Sequence, residues 1–184
     1  ISFLDNGQPR RNPPERLEIP DLCGLPYPDF GLLRYARKIK YYPISWTRGC
    51  SANCEFCSVI GRPRWSIPEH LFETVNWLVQ TRDAKRFFIV DDRFNGTRDG
   101  TIKFLRLISE KYGSRLGFTA QIRLESAKDI ELLEEMKKAG VKTVCIGYES
   151  PIDAELKGMQ KGYLSKNMIE WTKILRRYFW VHGM

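Results

Sequence analysis

No stretch of this sequence approaches the roughly 18 consecutive apolar residues of a membrane span, and residues 1–20 lack the charged-then-apolar layout of a signal peptide. A membrane-spanning or exported chain is therefore not expected, and the default is a soluble, cytoplasmic protein. Cysteine is scarce and unevenly placed: of five in 184 residues, three fall between Cys50 and Cys57. An odd number bunched at one place is no disulfide framework, whereas a tight cluster in a reducing compartment points to a metal or to catalysis.

Proline is nearly confined to one end. Pro9, Pro13, Pro14, Pro20, Pro26, Pro28 and Pro43 are seven of the ten. The runs Asn12-Pro13-Pro14, Ile19-Pro20 and Leu25-Pro26-Tyr27-Pro28 deny that region long helices and central strands. Residues 1–42 read as an extended linker or arm packing onto residues 43–184. The chain opens on Ile1 rather than Met and stops just as an apolar run begins, so an excerpt of a longer protein is expected. The formal net charge of +8 suits an anionic partner. Its basic pairs, Arg37-Lys38, Lys85-Arg86, Lys137-Lys138 and Arg176-Arg177, are scattered through helix-like segments and read as solvated helix faces.

What is present from Tyr42 onward is a regular alternation, and with 42% hydrophobic and 12% aromatic residues the chain can bury an ordinary core. Short β-branched or aromatic runs at Pro43–Arg48, Phe87–Asp91, Leu116–Ile122, Val141–Gly147 and from Val181 read as buried strands. Helical patterns separate them. Ile67, Leu71, Val75, Leu78 and Val79 follow the 3.6-residue period, with Ser66 and Glu69 as a capping box and Pro68 in the first turn. Asp99 is expected to cap a second helix that Gly113 ends, and Ser126 and Asp129 to open a third that runs to Gly140. A fourth is expected from Ser165 to about Arg177, with Leu164 and Ile169 as a hydrophobic staple. Four strand-helix units and the start of a fifth strand imply a parallel sheet, either open or part of a barrel, with chemistry at the strands' C-terminal ends.

The cysteine loop follows the first strand directly. Its spacing, Cys50-x3-Cys54-x2-Cys57, is not the two spaced pairs of a structural zinc site. The nearest further candidates are Cys23, His70 and Cys145, and the two cysteines read as buried small residues or free thiols. Three thiolates from one tight loop suit an iron-sulfur cube, which normally takes four. Three leave one iron open to a chelating substrate.

This pattern, with Phe56 before the last cysteine and Arg48-Gly49 ahead of the first, resembles the radical S-adenosylmethionine (SAM) enzymes, whose core is a partial (βα) TIM-like barrel of parallel strands. The resemblance implies that Cys50, Cys54 and Cys57 hold a 4Fe-4S cluster whose open iron is chelated by the methionine end of SAM. It further implies reductive cleavage to a 5'-deoxyadenosyl radical that takes hydrogen from a substrate. Val90-Asp91-Asp92-Arg93-Phe94 is similar to the Asp-Asp-x-Phe that replaces Gly-Gly-Glu in some members, so either Asp91 or Asp92 would face the methionine ammonium. Gln121-Ile122-Arg123 stands where related enzymes place an arginine towards the methionine carboxylate. Ile146-Gly147-Tyr148-Glu149-Ser150 resembles Gly-x-Glu-Ser, whose Glu149 and Ser150 would approach the ribose or methionine end, and Phe56 would pack near adenine. The loop Lys157-Gly158-Met159-Gln160-Lys161-Gly162 also fits the family. Singly, these are an ordinary cap, a surface charge and a helix start; together they set one polar cluster at the same end of four strands. The resemblance covers residues 43–184 and breaks off at the fifth strand. Tyr148, Trp46 and Gln121 face either the substrate or, for the aromatics, the core.

The arm from Ile19 to Phe30 resembles the connector that joins a cobalamin-binding domain to the barrel in cobalamin-dependent members. By that resemblance cobalamin is a further expected cofactor, carried on a domain ahead of Ile1, and methyl transfer to an unreactive carbon the expected outcome. A small-molecule substrate and a one-electron donor such as flavodoxin or ferredoxin are the partners this implies. The alternatives are a cobalamin-independent member such as a tRNA methylthiotransferase, or, from other classes, an iron-sulfur electron carrier or a zinc-stabilised binding module.

Overall fold

The computed structural model describes residues 2–11, 22–59 and 63–184. Asn12-Pro13-Pro14, Ile19-Pro20 and the first part of the connector lie outside the described residues. The arm holds more order than its prolines suggest. Strands β1 (Ser2–Asp5) and β2 (Gln8–Arg11) form an antiparallel hairpin. Its turn is Asn6-Gly7 with φ of 50° and 78°, the pair of positive angles for which Asn-Gly is suited. Residues 22–41 then lie along the first helix described below. Leu22 is buried, Tyr27 stacks on His70 with centroids 5.5 Å apart, and Asp29 pairs with Arg82 at 3.1 Å.

The expected first strand splits into β3 (Tyr42–Ile44) and β4 (Thr47–Arg48). The cause is a carboxylate two residues past the end of the neighbouring strand β6 (Arg86–Ile89). Asp91 Oδ1 accepts from Ser45 Oγ at 2.7 Å, Trp46 N at 3.1 Å and Thr47 N at 3.2 Å, which turns the chain out of the sheet. There β4 pairs instead with β5 (Arg64–Trp65). Helix α1 (Pro68–Arg82) follows, then β6 (Arg86–Ile89), α2 (Arg98–Tyr112), β7 (Gly117–Gln121), α3 (Ile130–Lys138), β8 (Val141–Ile146), the short α4 (Asp153–Gly158), α5 (Ser165–Leu175) and β9 (Trp180–Gly183).

The starts of α1, α2 and α5 depart from expectation. Ile67, not Ser66, precedes α1, and no side chain caps it. Ser66 is drawn back by β5, its N–H bonded to Trp46 O at 2.7 Å and its hydroxyl turned to Cys23 Sγ at 3.6 Å. Thr97 rather than Asp99 precedes α2. Gly113 does end that helix, with φ 57°, and Asp129 does cap α3, accepting from Leu132 N at 3.1 Å. Ile169 is 67% exposed, so no staple forms on α5; Asn167 Oδ1 instead accepts from Leu164 N at 3.1 Å.

Strands β3, β6, β7, β8 and β9 make one parallel sheet in that spatial order, which is their order in the chain. A doubly wound sheet reverses direction partway and carries helices on both faces. Among the described residues the progression never reverses, and the α/β chain forms a partial barrel, five of whose strands are described. Phe87, Ile89, Phe118, Ala120 and Val144 bury the outer face beneath Leu71, Val75 and Leu78 of α1, Leu105 and Ile108 of α2 and Leu133 and Met136 of α3. Phe87 and Phe118 stack at 5.2 Å and Phe104 meets Phe118 edge-on at 6.2 Å; each such ring contributes about 2–3 kcal/mol by leaving water. Among the described residues no helix is long and apolar enough to cross a membrane.

Candidate functional site

Each parallel strand ends at the same rim, and the residues beyond those ends line one open cavity of about 190 Å³. Cys50, Cys54 and Cys57 all line it. The chain reaches them through Gly49 at φ 88°, a left-handed turn that favours glycine. The loop then wraps its own sulfurs: Ala52 N donates to Cys50 Sγ at 3.4 Å and Val59 N to Cys57 Sγ at 3.5 Å. The third sulfur, Cys54 Sγ, accepts from Arg123 Nη1 at 3.3 Å. A clasp from the segment after α4 holds the loop down. Glu55 N donates to Met159 O at 3.2 Å, Asn53 Nδ2 to Gln160 Oε1 at 3.1 Å, and Gln160 Nε2 to Glu55 Oε2 at 3.2 Å.

The two adjacent aspartates go to different places. Asp92 lines the cavity, and its Oδ2 accepts from Gly49 N at 3.2 Å. Asp91 is 2% exposed and its Oδ1 accepts from the three donors that end β3, while its Oδ2 is buried with no partner among the described residues. Burial pushes the Asp91 carboxyl up to about 6 against those hydrogen bonds. Arg123, just past the end of β7, lines the cavity with each of its three side-chain nitrogens holding a partner, Nε on Glu125, Nη2 on Lys161 O at 2.5 Å and Nη1 on Cys54, while the second N–H of each Nη is left over among the described residues.

Glu149 also lines the cavity, in a left-handed conformation with φ 67°, and accepts from Lys161 Nζ at 3.1 Å. Ser150 does not reach it. Its hydroxyl accepts from Ile152 N at 3.0 Å and donates to Glu155, so it braces the start of α4. Phe56 stands at the cavity wall, 54% exposed, with Lys161 Nζ 5.8 Å from its ring. Gln121 lines the cavity, whereas Trp46 is buried in the core and Tyr148 hydrogen-bonds Thr172 at 2.5 Å. Cys145 is buried within β8, its thiol pushed up by burial.

Three of the polar cavity residues, Glu125, Lys161 and Tyr163, had no individual sequence signal. Only Lys161 fell inside a quoted motif. Tyr163 donates to Gly147 O at 3.1 Å or Tyr148 O at 3.2 Å, which pins the end of β8, and burial pushes its hydroxyl up to about 12. The cavity thus sets carboxylates of Asp92, Glu125 and Glu149 beside cations of Arg123 and Lys161, a surface matched to a zwitterion. Among the described residues no three Cys, His, Asp or Glu side chains converge as a single metal ion requires. A cube takes each thiolate at a separate corner, so its ligands do not share a point.

Fold and site together define a parallel half-barrel carrying a three-thiolate loop over its strand ends. The sequence profile of the radical SAM superfamily matches residues 44–184, and the chain belongs to that superfamily. It is 29% identical over 151 residues to the hopanoid C-2 methylase of Rhodopseudomonas palustris (strain TIE-1), covering 78% of this chain and 28% of that protein. It is 27% identical over 187 residues to an uncharacterized methyltransferase of Pyrococcus horikoshii, covering 97% and 40%. Among solved structures, the cobalamin-dependent SAM radical enzyme OxsB with aqua-cobalamin bound superposes with TM-score 0.82 at 18% identity, over 99% of this chain and 28% of that one. The radical SAM methyltransferase TsrM of Kitasatospora setae, with tryptophan substrate and a SAM analog, gives 0.68 at 20% identity, over 81% and 31%. The chain therefore spans about two-fifths or less of the length of these relatives.

Proposed function

We propose that residues 43–184 are the catalytic core of a cobalamin-dependent radical SAM methyltransferase, with residues 1–42 as the arm leading into it. Cys50, Cys54 and Cys57 would hold the 4Fe-4S cluster. The observation that carries this is the sulfur environment: all three thiols face one cavity, and each accepts an N–H donor, as cluster thiolates require when they spread negative charge. Once bound, the cluster supplies one electron for cleavage of the SAM sulfonium.

The chain's own side chains would bind and orient SAM. Asp92, which takes one backbone donor among the described residues, would accept from the ammonium, and the cations of Arg123 and Lys161 would suit the carboxylate. Glu149 would meet the ribose hydroxyls and Phe56 would cover the adenine. Asp91 and Ser150 would act through the backbone, by holding the β3 end and the start of α4.

The subclass reading rests on the relatives. Two curated relatives are named as methylase or methyltransferase, and OxsB and TsrM are described as cobalamin-dependent or cobalamin-bound. A small-molecule substrate and a low-potential flavodoxin or ferredoxin as donor follow from that reading. The test is anaerobic reconstitution of the full-length protein. About four iron and four sulfide per chain, 5'-deoxyadenosine after reduction with SAM, and cobalamin bound in proportion to protein are expected. One tightly held zinc and no sulfide would sink the proposal.

A further inference from the structure

The three sulfurs are not treated alike. Cys50 and Cys57 accept neutral backbone amides from their own loop, but Cys54 accepts from a guanidinium that arrives from the end of β7. That guanidinium has no freedom to turn away. Its Nε is held by Glu125, its Nη2 by Lys161 O at 2.5 Å, and its side chain is 17% exposed. A charged donor fixed against one thiolate in a partly dry site interacts with it far more strongly than an amide does. Net charge and hydrogen bonds to the sulfurs are among the quantities that set a cluster's potential.

We propose that Arg123 is a positioning residue for electron transfer: through Cys54 Sγ it favours the reduced, more negative state of the cluster, and Glu125 moderates its charge. This rests on the cluster assignment proposed above. The step is the gain of one electron, from the 2+ to the 1+ cluster, supplied by a low-potential one-electron donor with no proton taken up. Neutralising Arg123 makes reduction harder; neutralising Glu125 leaves the guanidinium uncompensated and makes it easier.

The test is an EPR-monitored redox titration of the reconstituted full-length protein without SAM, comparing wild type, Arg123→Gln, Arg123→Lys and Glu125→Gln. At a fixed solution potential, Arg123→Gln is expected to lower the ratio of reduced to oxidised cluster at least about tenfold, equivalent to about 59 mV for one electron. Glu125→Gln is expected to raise the ratio, and Arg123→Lys to fall between wild type and Arg123→Gln. A wild type that takes up no cluster overturns the cluster assignment itself. A loaded wild type from which Arg123→Gln and Glu125→Gln each differ less than about twofold overturns this inference alone. So does a shift in Arg123→Gln that appears only after SAM is added, since that would make Arg123 a cofactor ligand and nothing more. If Arg123→Gln takes up no cluster, the opposite sign expected of Glu125→Gln decides.

Discussion

Asp91→Asn should remove a pH dependence of stability that the structure assigns to one carboxylate. Asp91 is 2% exposed, and burial raises it from 3.8 to about 6. A carboxyl raised in the folded state binds protons more tightly there than when unfolded, so between those two values stability falls as pH rises. The rise from 3.8 to about 6 corresponds to about 3 kcal/mol, lost as pH rises through about 6. Between about pH 5 and about pH 7.5 the wild type should therefore lose about 1.4 kcal/mol that Asp91→Asn keeps. Asn retains an oxygen for Ser45, Trp46 and Thr47. Asp91→Ala instead leaves the N–H groups of Trp46 and Thr47 without an acceptor, at about 1–3 kcal/mol each. Denaturant midpoints for the wild type and both variants at the two pH values check this. A difference between wild type and Asp91→Asn that stays constant across that range would refute the assignment, as would an Asp91→Ala cost within about 0.5 kcal/mol of zero, the range of ordinary surface changes.

Further outcomes follow from other parts of the site and fold. Alanine at Cys50, Cys54 or Cys57 should each abolish cluster uptake, measured as iron, sulfide and visible absorbance, while Cys145→Ala should load as the wild type does. Asp92→Asn should weaken SAM binding about tenfold by calorimetry, the order of one charge-assisted hydrogen bond. Ser150→Ala should leave that affinity unchanged and cost about 1 kcal/mol of stability, because its hydroxyl serves the backbone at Ile152. Gly140→Ala should cost about 2 kcal/mol or more in a denaturant titration. At φ 91° an added Cβ there would meet Leu116 O at 2.2 Å.

Much of the fold was legible because its signals are local. Strand runs and helical periods at Phe87, Leu116, Val141 and Leu71 to Leu78 need only a few neighbouring residues to declare themselves, and their alternation implies a parallel sheet. Helix caps were less legible. Ser66 and Asp99 have the right chemistry for a cap, but β5 drew Ser66 back and Thr97 took the position before α2. The Asn6-Gly7 hairpin did carry a local signal, overshadowed by the prolines around it. Helix α4 is six residues long, too short for its period to show.

The site divides along the same line. The three-thiolate loop, its place behind the first strand and the polar residues that close the later strands could be read from residue order alone, because spacing and strand order are properties of the chain. Residue order left Asp91 and Asp92 equivalent. Adjacent residues at a strand end point to opposite sides, and which side becomes core depends on the tertiary arrangement of β3 beside β6. Only that packing sent Asp91 under the β3 turn and Asp92 into the cavity. The same holds for the contacts that span the chain: Gln160 on Glu55 from 105 residues away, and Arg123 on Cys54 from 69. These depend on how far the barrel curls, a distance no local pattern encodes.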